Sequence, residues 1–295
     1  MILVNGKQVE VEYFPNKESK VKEFPVSVLP KNVVELFYED DRDLIHLSFV
    51  TDYIDEHSYS TPRYLVIHYM PYSRMDRRIE GDMYTLKYIS RFINNLRFTN
   101  VYVVDPHSMV TPCLLFVNPQ SINWNTATGP IVIFPIIDWL KIIMEETPFY
   151  QPIDCVVLPD KGAYNKYYDT IKPFMFDDIN VRTFHKERCP TTGKILDMKL
   201  IEPYPTLPAG CENVIIIDDL CSYGGTFLWA GDILREMGVK DITLVVTHLE
   251  ESVFDGSLLN DDSPITRIYT SNSMIRTQTH PKINILPINI EKYIK

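Results

Sequence analysis

The chain has 295 residues, enough for two domains of ordinary size. Its hydrophobic fraction of 45% and charged fraction of 23% are those of a soluble globular protein, and a formal net charge of −10 argues against the basic face that nucleic-acid binding requires. No signal peptide or membrane span is legible, since Ile131 to Met144 is broken by Pro135, Asp138 and Lys141, and an odd set of five cysteines without a close CxxC pair suits a reducing cytoplasm better than a disulfide framework or a zinc site.

In chain order, short buried strands are predicted at Tyr64 to Tyr69, Val101 to Asp105, Ile131 to Phe134, Cys155 to Leu158, Val214 to Ile217 and Ile242 to Thr247. Helix-sized segments such as Asp82 to Leu96 and Thr226 to Met237 lie between several of them. That alternation is the signature of an α/β fold with mainly parallel sheets. Asn118 to Pro130, crowded with polar residues, Gly and Pro, is the best domain boundary. Cys189 to Gly210 is rich in proline and reads as a long loop or mobile hairpin, the kind of segment that serves as a functional lid.

The most informative stretch is Val214 to Phe227, VIIIDDLCSYGGTF. A β-branched run covered on both faces delivers Asp218 and Asp219 to the carboxyl end of a strand, where open α/β sheets hold their ligands. Gly224 and Gly225 then allow close approach to an anion, and Thr226 opens a helix whose first N–H groups and dipole favour negative charge. A phosphate fits there, with the carboxylates free for sugar hydroxyls or Mg²⁺. An acidic pair after a strand is also compatible with a solvated loop.

Four weaker clusters accompany it. Tyr72 to Arg78 places Arg74, Arg77 and Arg78 after a strand, where they could grip a triphosphate or simply begin a solvated helix. Asp105-Pro106-His107 ends another strand, with a histidine that suits a metal–nucleotide complex or an ordinary structural role. Pro159-Asp160-Lys161-Gly162 is a second anion or Mg²⁺ loop, or a common turn. His185-Lys186-Glu187-Arg188 stands at the root of the long loop and can close cations over a transferring phosphoryl group, or decorate a surface.

Taken in order, these segments resemble the ribose-phosphate diphosphokinases, or PRPP synthetases, of the type I phosphoribosyltransferase fold. Phe14-Pro15-Asn16-Lys17-Glu18 is similar to the family's F-x-D-G-E loop, Arg74-Met75-Asp76-Arg77 to its R-Q-D-R segment and Asp105-Pro106-His107 to its D-L-H. Pro159 to Gly162 resembles the start of P-D-x-G-G, Lys186 and Arg188 fall on K-x-R, Asp218 to Thr226 on D-D-x-x-D-T-A-G-T, and Thr270-Ser271-Asn272-Ser273 on the terminal T-N-S. Neither the Walker nor the G-x-G-x-x-G pattern competes.

The resemblance implies two phosphoribosyltransferase-like domains with mainly parallel central sheets flanked by helices. Residues 1–127 would carry the ATP segments and 128–295 the pyrophosphate, catalytic and ribose-phosphate loops, with the last residues able to pack back on the first domain. It further implies transfer of the β,γ-diphosphate of Mg–ATP to the anomeric hydroxyl of a ribose 5-phosphate unit, releasing AMP. Lys186 and Arg188 are then the catalytic residues; Phe14, Asn16, Glu18, Arg74, Asp76, Arg77 and His107 bind ATP; Asp160, Lys161 and Gly162 form the pyrophosphate loop. Asp218, Asp219, Ser222, Tyr223, Gly224, Gly225 and Thr226 take the acceptor, and His107 and Asp160 attend Mg²⁺. Because the amino-terminal loop serves a neighbouring subunit in the family, a homodimer or larger homo-oligomer is expected, with no nucleic-acid or membrane partner.

The departures bear on the acceptor. Ser222 and Tyr223 replace an aspartate and a threonine, losing a carboxylate and adding a ring that could stack on a group beyond the phosphate. ADP-ribose is therefore the alternative acceptor to ribose 5-phosphate. A PRPP-consuming phosphoribosyltransferase and a silent regulatory subunit are the remaining readings. The family's opening strand and helix are largely missing, so its allosteric control is not carried over.

Overall fold

The computed structural model describes residues 1–27, 30–115, 129–145, 153–172, 180–188, 195–201 and 204–294, the side chains of 137, 144, 145, 188 and 195 excepted. It divides into two units, Met1–Phe134 and Pro135–Lys295.

In the first unit, β1 (Ile2–Val4), β2 (Lys7–Gln8), β3 (Val11–Tyr13) and β4 (Ser19–Val21) precede β5 (Asn32–Leu36), α1 (Arg42–Ser58), β6 (Arg63–Ile67), α2 (Thr85–Asn95), β7 (Asn100–Val104), α3 (Val110–Leu114) and β8 (Ile131–Ile133). The sheet order is β2-β1-β5-β6-β7-β8, with β3 and β4 forming a separate two-stranded hairpin. Strands β5 to β8 run parallel, while β1 pairs antiparallel with both β2 and β5. Their β-branched residues pack with Leu47, Val50 and Ile54 of α1 and Leu86 and Ile93 of α2, all essentially inaccessible to solvent.

The second unit contains α4 (Ile136–Glu145), β9 (Cys155–Leu158), α5 (Lys161–Ile171), β10 (Asn180–Arg188), β11 (Ile195–Leu200), β12 (Asn213–Cys221), α6 (Gly225–Glu236), β13 (Asp241–Leu249), β14 (Arg267–Thr270) and β15 (Ile283–Ile285). Its sheet order is β11-β10-β9-β12-β13-β14-β15, parallel except for the β10–β11 hairpin. The chain leaves β9 toward β10 but leaves β12 in the opposite direction, toward β13. The β9/β12 junction is thus a topological switch point, the place where open α/β sheets bind ligands, and right-handed crossovers put α5 and α6 on opposite faces.

All six strands expected from the sequence are present. Two run further: β12 and β13 pair out to Cys221 and Leu249, so Asp218 and Asp219 lie inside a strand rather than just beyond one. The reason is one-sided pairing. On its other edge β12 matches β9 only as far as Ile216, and beyond that residue this edge opens into the crevice. Tyr72 to Arg78 forms turns, not a helix start. The proline-rich segment contributes the strand β11 and is a hairpin where described, with 189–194 and 202–203 outside the described residues. Most of the boundary stretch also lies outside them. The division at 134/135 places β8 in the first unit because it pairs with β7, beyond the expected limit at 127. Lys292 and Tyr293 bond Asp138 of α4 at 2.6 and 2.8 Å, within the second unit.

Candidate functional site

Strand alternation sorts the groups at the switch point. Val214 and Ile216 pack with Phe227, Ala230 and Leu234 of α6, so Asp218, two residues on, continues along the α6 face. Asp219 belongs to the opposite face, where Lys166 of α5 reaches it at 3.5 Å with both side chains under 10% exposed. The two carboxylates predicted to share one task thus have different surroundings.

At the end of β9, Asp160 caps α5 by accepting from the Ala163 N–H at 2.9 Å. Its other oxygen meets Lys186 Nζ at 2.5 Å, bringing the β10 lysine over the loop. Burial pushes the Asp160 carboxyl up, but the Lys186 ammonium and the capping N–H groups outweigh it and hold the carboxyl below its ordinary range. Burial, then the charges of Asp219 and Asp160, push Asp218 well above that range. Asp218 also accepts from the Asp219 N–H at 2.9 Å.

Beyond β12, Gly224 caps α6 with φ 84°, a left-handed conformation suited to glycine. A Cβ there would also come 2.8 Å from Leu258. The first turn of α6 directs its N–H groups and positive dipole end to residues 222–226. Tyr223 leaves 60% of its surface exposed. Its backbone is covered by Gly256, where a Cβ would lie 2.3 Å from the Tyr223 carbonyl oxygen. The terminal motif is an internal support: Ser271 and Ser273 are fully buried, Ser271 Oγ donates to the Thr247 carbonyl at 2.6 Å, and Ser273 Oγ meets His248 Nδ1 at 2.9 Å.

In the first unit, the arginine segment and His107 stand at the carboxyl edges of the neighbouring strands β6 and β7. Arg74, Arg77, Arg78 and His107 are exposed, while Asp76 bonds Arg77 at 3.1 Å. Tyr72, at φ 59°, anchors the segment by donating to Asp41 at 2.5 Å. Asp105 is fully buried at φ 38°, a strained backbone of the kind concentrated at functional sites. Phe14, Asn16 and Glu18 form the β3–β4 turn, in which Lys17 takes φ 71° at the position where the resembled loop has glycine. Asn16 Oδ1 accepts from the Glu18 N–H at 3.2 Å, and Phe14 is half exposed.

The second unit therefore gathers Asp160, Lys161, Gly162, Lys186, Asp218, Asp219 and residues 222–226 at one sheet edge. Arg188 ends β10 after a bulge, described in its backbone alone. Lys166 escaped the sequence reading. Its signal is a charged residue three positions after Ala163 and beside Tyr167, on the buried stripe that Ala163, Tyr167 and Ile171 define.

An α/β protein with mainly parallel sheets and a glycine-capped helix N-terminus beside paired carboxylates at a switch point is the class so defined. No family model matches the chain. It is 27% identical over 250 residues to ribose-phosphate pyrophosphokinase from Saccharolobus solfataricus, covering 82% of this chain and 76% of that one. Against the enzyme of that name from Sulfolobus acidocaldarius, identity is 26% over 290 residues, with 96% and 89% covered. The crystal structure of phosphoribosylpyrophosphate synthetase from Mycobacterium smegmatis superposes with a TM-score of 0.73 at 18% identity, spanning 97% of this chain and 87% of that chain, and shares its fold. The chain is a relative of the ribose-phosphate pyrophosphokinases, which are transferases.

Proposed function

We propose that this protein transfers the β,γ-diphosphate of ATP to the anomeric hydroxyl of a ribose 5-phosphate unit, with ribose 5-phosphate itself as acceptor and AMP as the other product. The anomeric oxygen forms a bond to the β-phosphorus, the bridge to the α-phosphate breaks and leaves with AMP, and the hydroxyl proton is released. One observation carries the reading: Lys186 is joined to the Asp160 cap at the same strand ends as Asp218 and the α6 cradle. Such displacement asks chiefly for positioning and charge neutralisation, which paired cations and a rigid cradle supply. The similarity to ribose-phosphate pyrophosphokinases supports this class of reaction.

Mg²⁺ is the implied cofactor, and the residues fit it in a limited way. Asp160, Asp219 and Asp218 concentrate negative charge, which adds to the larger effect of burial in raising the Asp218 carboxyl. Among the described residues no three His, Cys, Asp or Glu converge on a metal. Mg²⁺ commonly takes one or two carboxylates, completing its shell with phosphate oxygens and water. In the second unit Asp160 is the residue proposed to attend it, and it would neutralise phosphate charge.

The exposed Tyr223, on a backbone closely approached by Gly256, favours a second reading in which the acceptor is ADP-ribose. The deciding assay offers Mg–ATP with each acceptor and follows AMP release and new diphosphate-ester phosphorus signals. ADP formation with single phosphate transfer would rule out both. PRPP consumption with a nucleobase would point to a phosphoribosyltransferase, and inertness to a silent subunit. Among the described residues no helix is long and apolar enough to cross a membrane. A homodimer or larger assembly is part of this proposal.

A further inference from the structure

Ser222 opens the loop that leads into α6, and its Oγ lies 2.9 Å from Ser252 Oγ. Ser252 in turn donates to Glu250 Oε2 at 3.2 Å. The chemistry of these groups fixes the direction of the chain. An ionised carboxylate only accepts, so the single Ser252 proton goes to Glu250 and the Ser252 oxygen is left to accept from Ser222. The Ser222 proton is thereby committed away from the loop, and Ser222 can offer a ligand only lone pairs.

The segment that carries Ser252 is bound closely to the loop. The Glu250 N–H donates to the Cys221 carbonyl at 2.9 Å, Gly256 lies directly beneath the Tyr223 carbonyl, and Leu258 packs against Gly224. Ser222 occupies the position at which the resembled loop has an aspartate.

We infer that Glu250, acting through Ser252, makes Ser222 an obligatory hydrogen-bond acceptor, and that these two positioning residues set which acceptor group the loop takes. The group facing Ser222 is then a hydrogen-bond donor, such as a hydroxyl of the acceptor, and a bare phosphate oxygen is disfavoured there. Glu250 supplies at a distance the acceptor character that a carboxylate would give directly. This rests on the ribose-phosphate reading of the loop.

Two measurements test it. In thermal melts, Ser222→Ala and Glu250→Gln should be strongly non-additive when combined, because both act on one relay; additive shifts would overturn it without any appeal to activity. In kinetics, Glu250→Gln releases the fixed polarity, since an amide both donates and accepts. It should raise the acceptor KM at least fivefold with the ATP KM within twofold. Ser252→Ala should reproduce that effect and Ser252→Thr, which keeps the hydroxyl, should not. In a Ser222→Ala background, Glu250→Gln should move the acceptor KM less than twofold. An undiminished effect in that background, or parallel rises in both KM values, would show a merely structural role. If the unaltered protein uses neither ribose 5-phosphate nor ADP-ribose, the functional proposal falls, while the melts still judge the relay.

Discussion

Lys186 Nζ and Asp160 Oδ2 stand 2.5 Å apart, so the lysine proposed to act on the diphosphate is already held by the residue that caps α5. Its charge is compensated before substrate arrives. A diphosphate must share Lys186 with Asp160 or draw it away, which suits a contact that strengthens in the transition state.

Replacing Lys186 or Arg188 with Ala should therefore lower kcat by about two orders of magnitude or more, with the ATP dissociation constant within severalfold. Steady-state kinetics and calorimetry separate the two effects. Persistent turnover with collapsed ATP affinity would make these residues ground-state binders. Lys186→Ala should also alter acid stability. The Asp160 carboxyl is held low in the folded state, so its contribution is present above the unfolded pKa and lost as pH falls through the folded one. Without Lys186, acid melting should begin at a higher pH.

Lys166 and Asp219 make a different kind of pair, buried on the α5 face. Removing one member of a buried pair leaves the other uncompensated, typically at a cost of roughly 3–5 kcal/mol, whereas removing both charges costs far less. Lys166→Met should lower the unfolding free energy by about that amount. Adding Asp219→Asn should recover much of it, as read from denaturant unfolding. Equal loss in the single and double variants would mean that the pairing does not hold Lys166 in place.

The parallel sheets were legible because buried strands have a simple code: Val214 to Ile217 and Cys155 to Leu158 are apolar without alternation, as strands covered on both faces must be. Their lateral order was not. That Asp218 and Asp219 face opposite sides follows from strand alternation, but that β12 outruns β9 depends on pairing between distant segments. The β3–β4 hairpin escaped notice because most of its residues are solvated and carry little apolar pattern. Lys166, Glu250 and Ser252 lie outside every motif, and only the folded chain brings them to Asp219 and Ser222.

Asp218 should exchange stability for function. Its folded pKa is raised above the unfolded value, so ionisation progressively destabilises the folded state as pH rises from the ordinary aspartate range through the raised value. Asp218→Asn abolishes that ionisation while its carbonyl can still accept from the Asp219 N–H. Melting temperature should thus rise at pH 8 relative to the unaltered protein and change little near pH 4, while turnover falls. A variant less stable at pH 8 than at pH 4, compared with the parent at each, would contradict the buried-charge argument.

The acceptor turns on Tyr223, a residue 60% exposed although its carbonyl is closely approached by Gly256. A ring that does not fill the cradle leaves room for a 5-phosphate monoester, and ribose 5-phosphate should then react with a KM that Tyr223→Thr alters only modestly. An exposed aromatic on such a backbone is equally a preformed stacking surface, requiring little ordering when a planar base arrives. If ADP-ribose stacks there, it should be the better substrate, and Tyr223→Thr should reduce its kcat/KM by the equivalent of about 1–3 kcal/mol, the range for a base on an aromatic side chain. The measurement is the ratio of kcat/KM for the two acceptors before and after the substitution. A fall of tenfold or more in the ADP-ribose to ribose 5-phosphate ratio assigns the choice of acceptor to Tyr223. A ratio unmoved by the substitution shows that the ring takes no part in that choice and leaves it to the Ser222 relay.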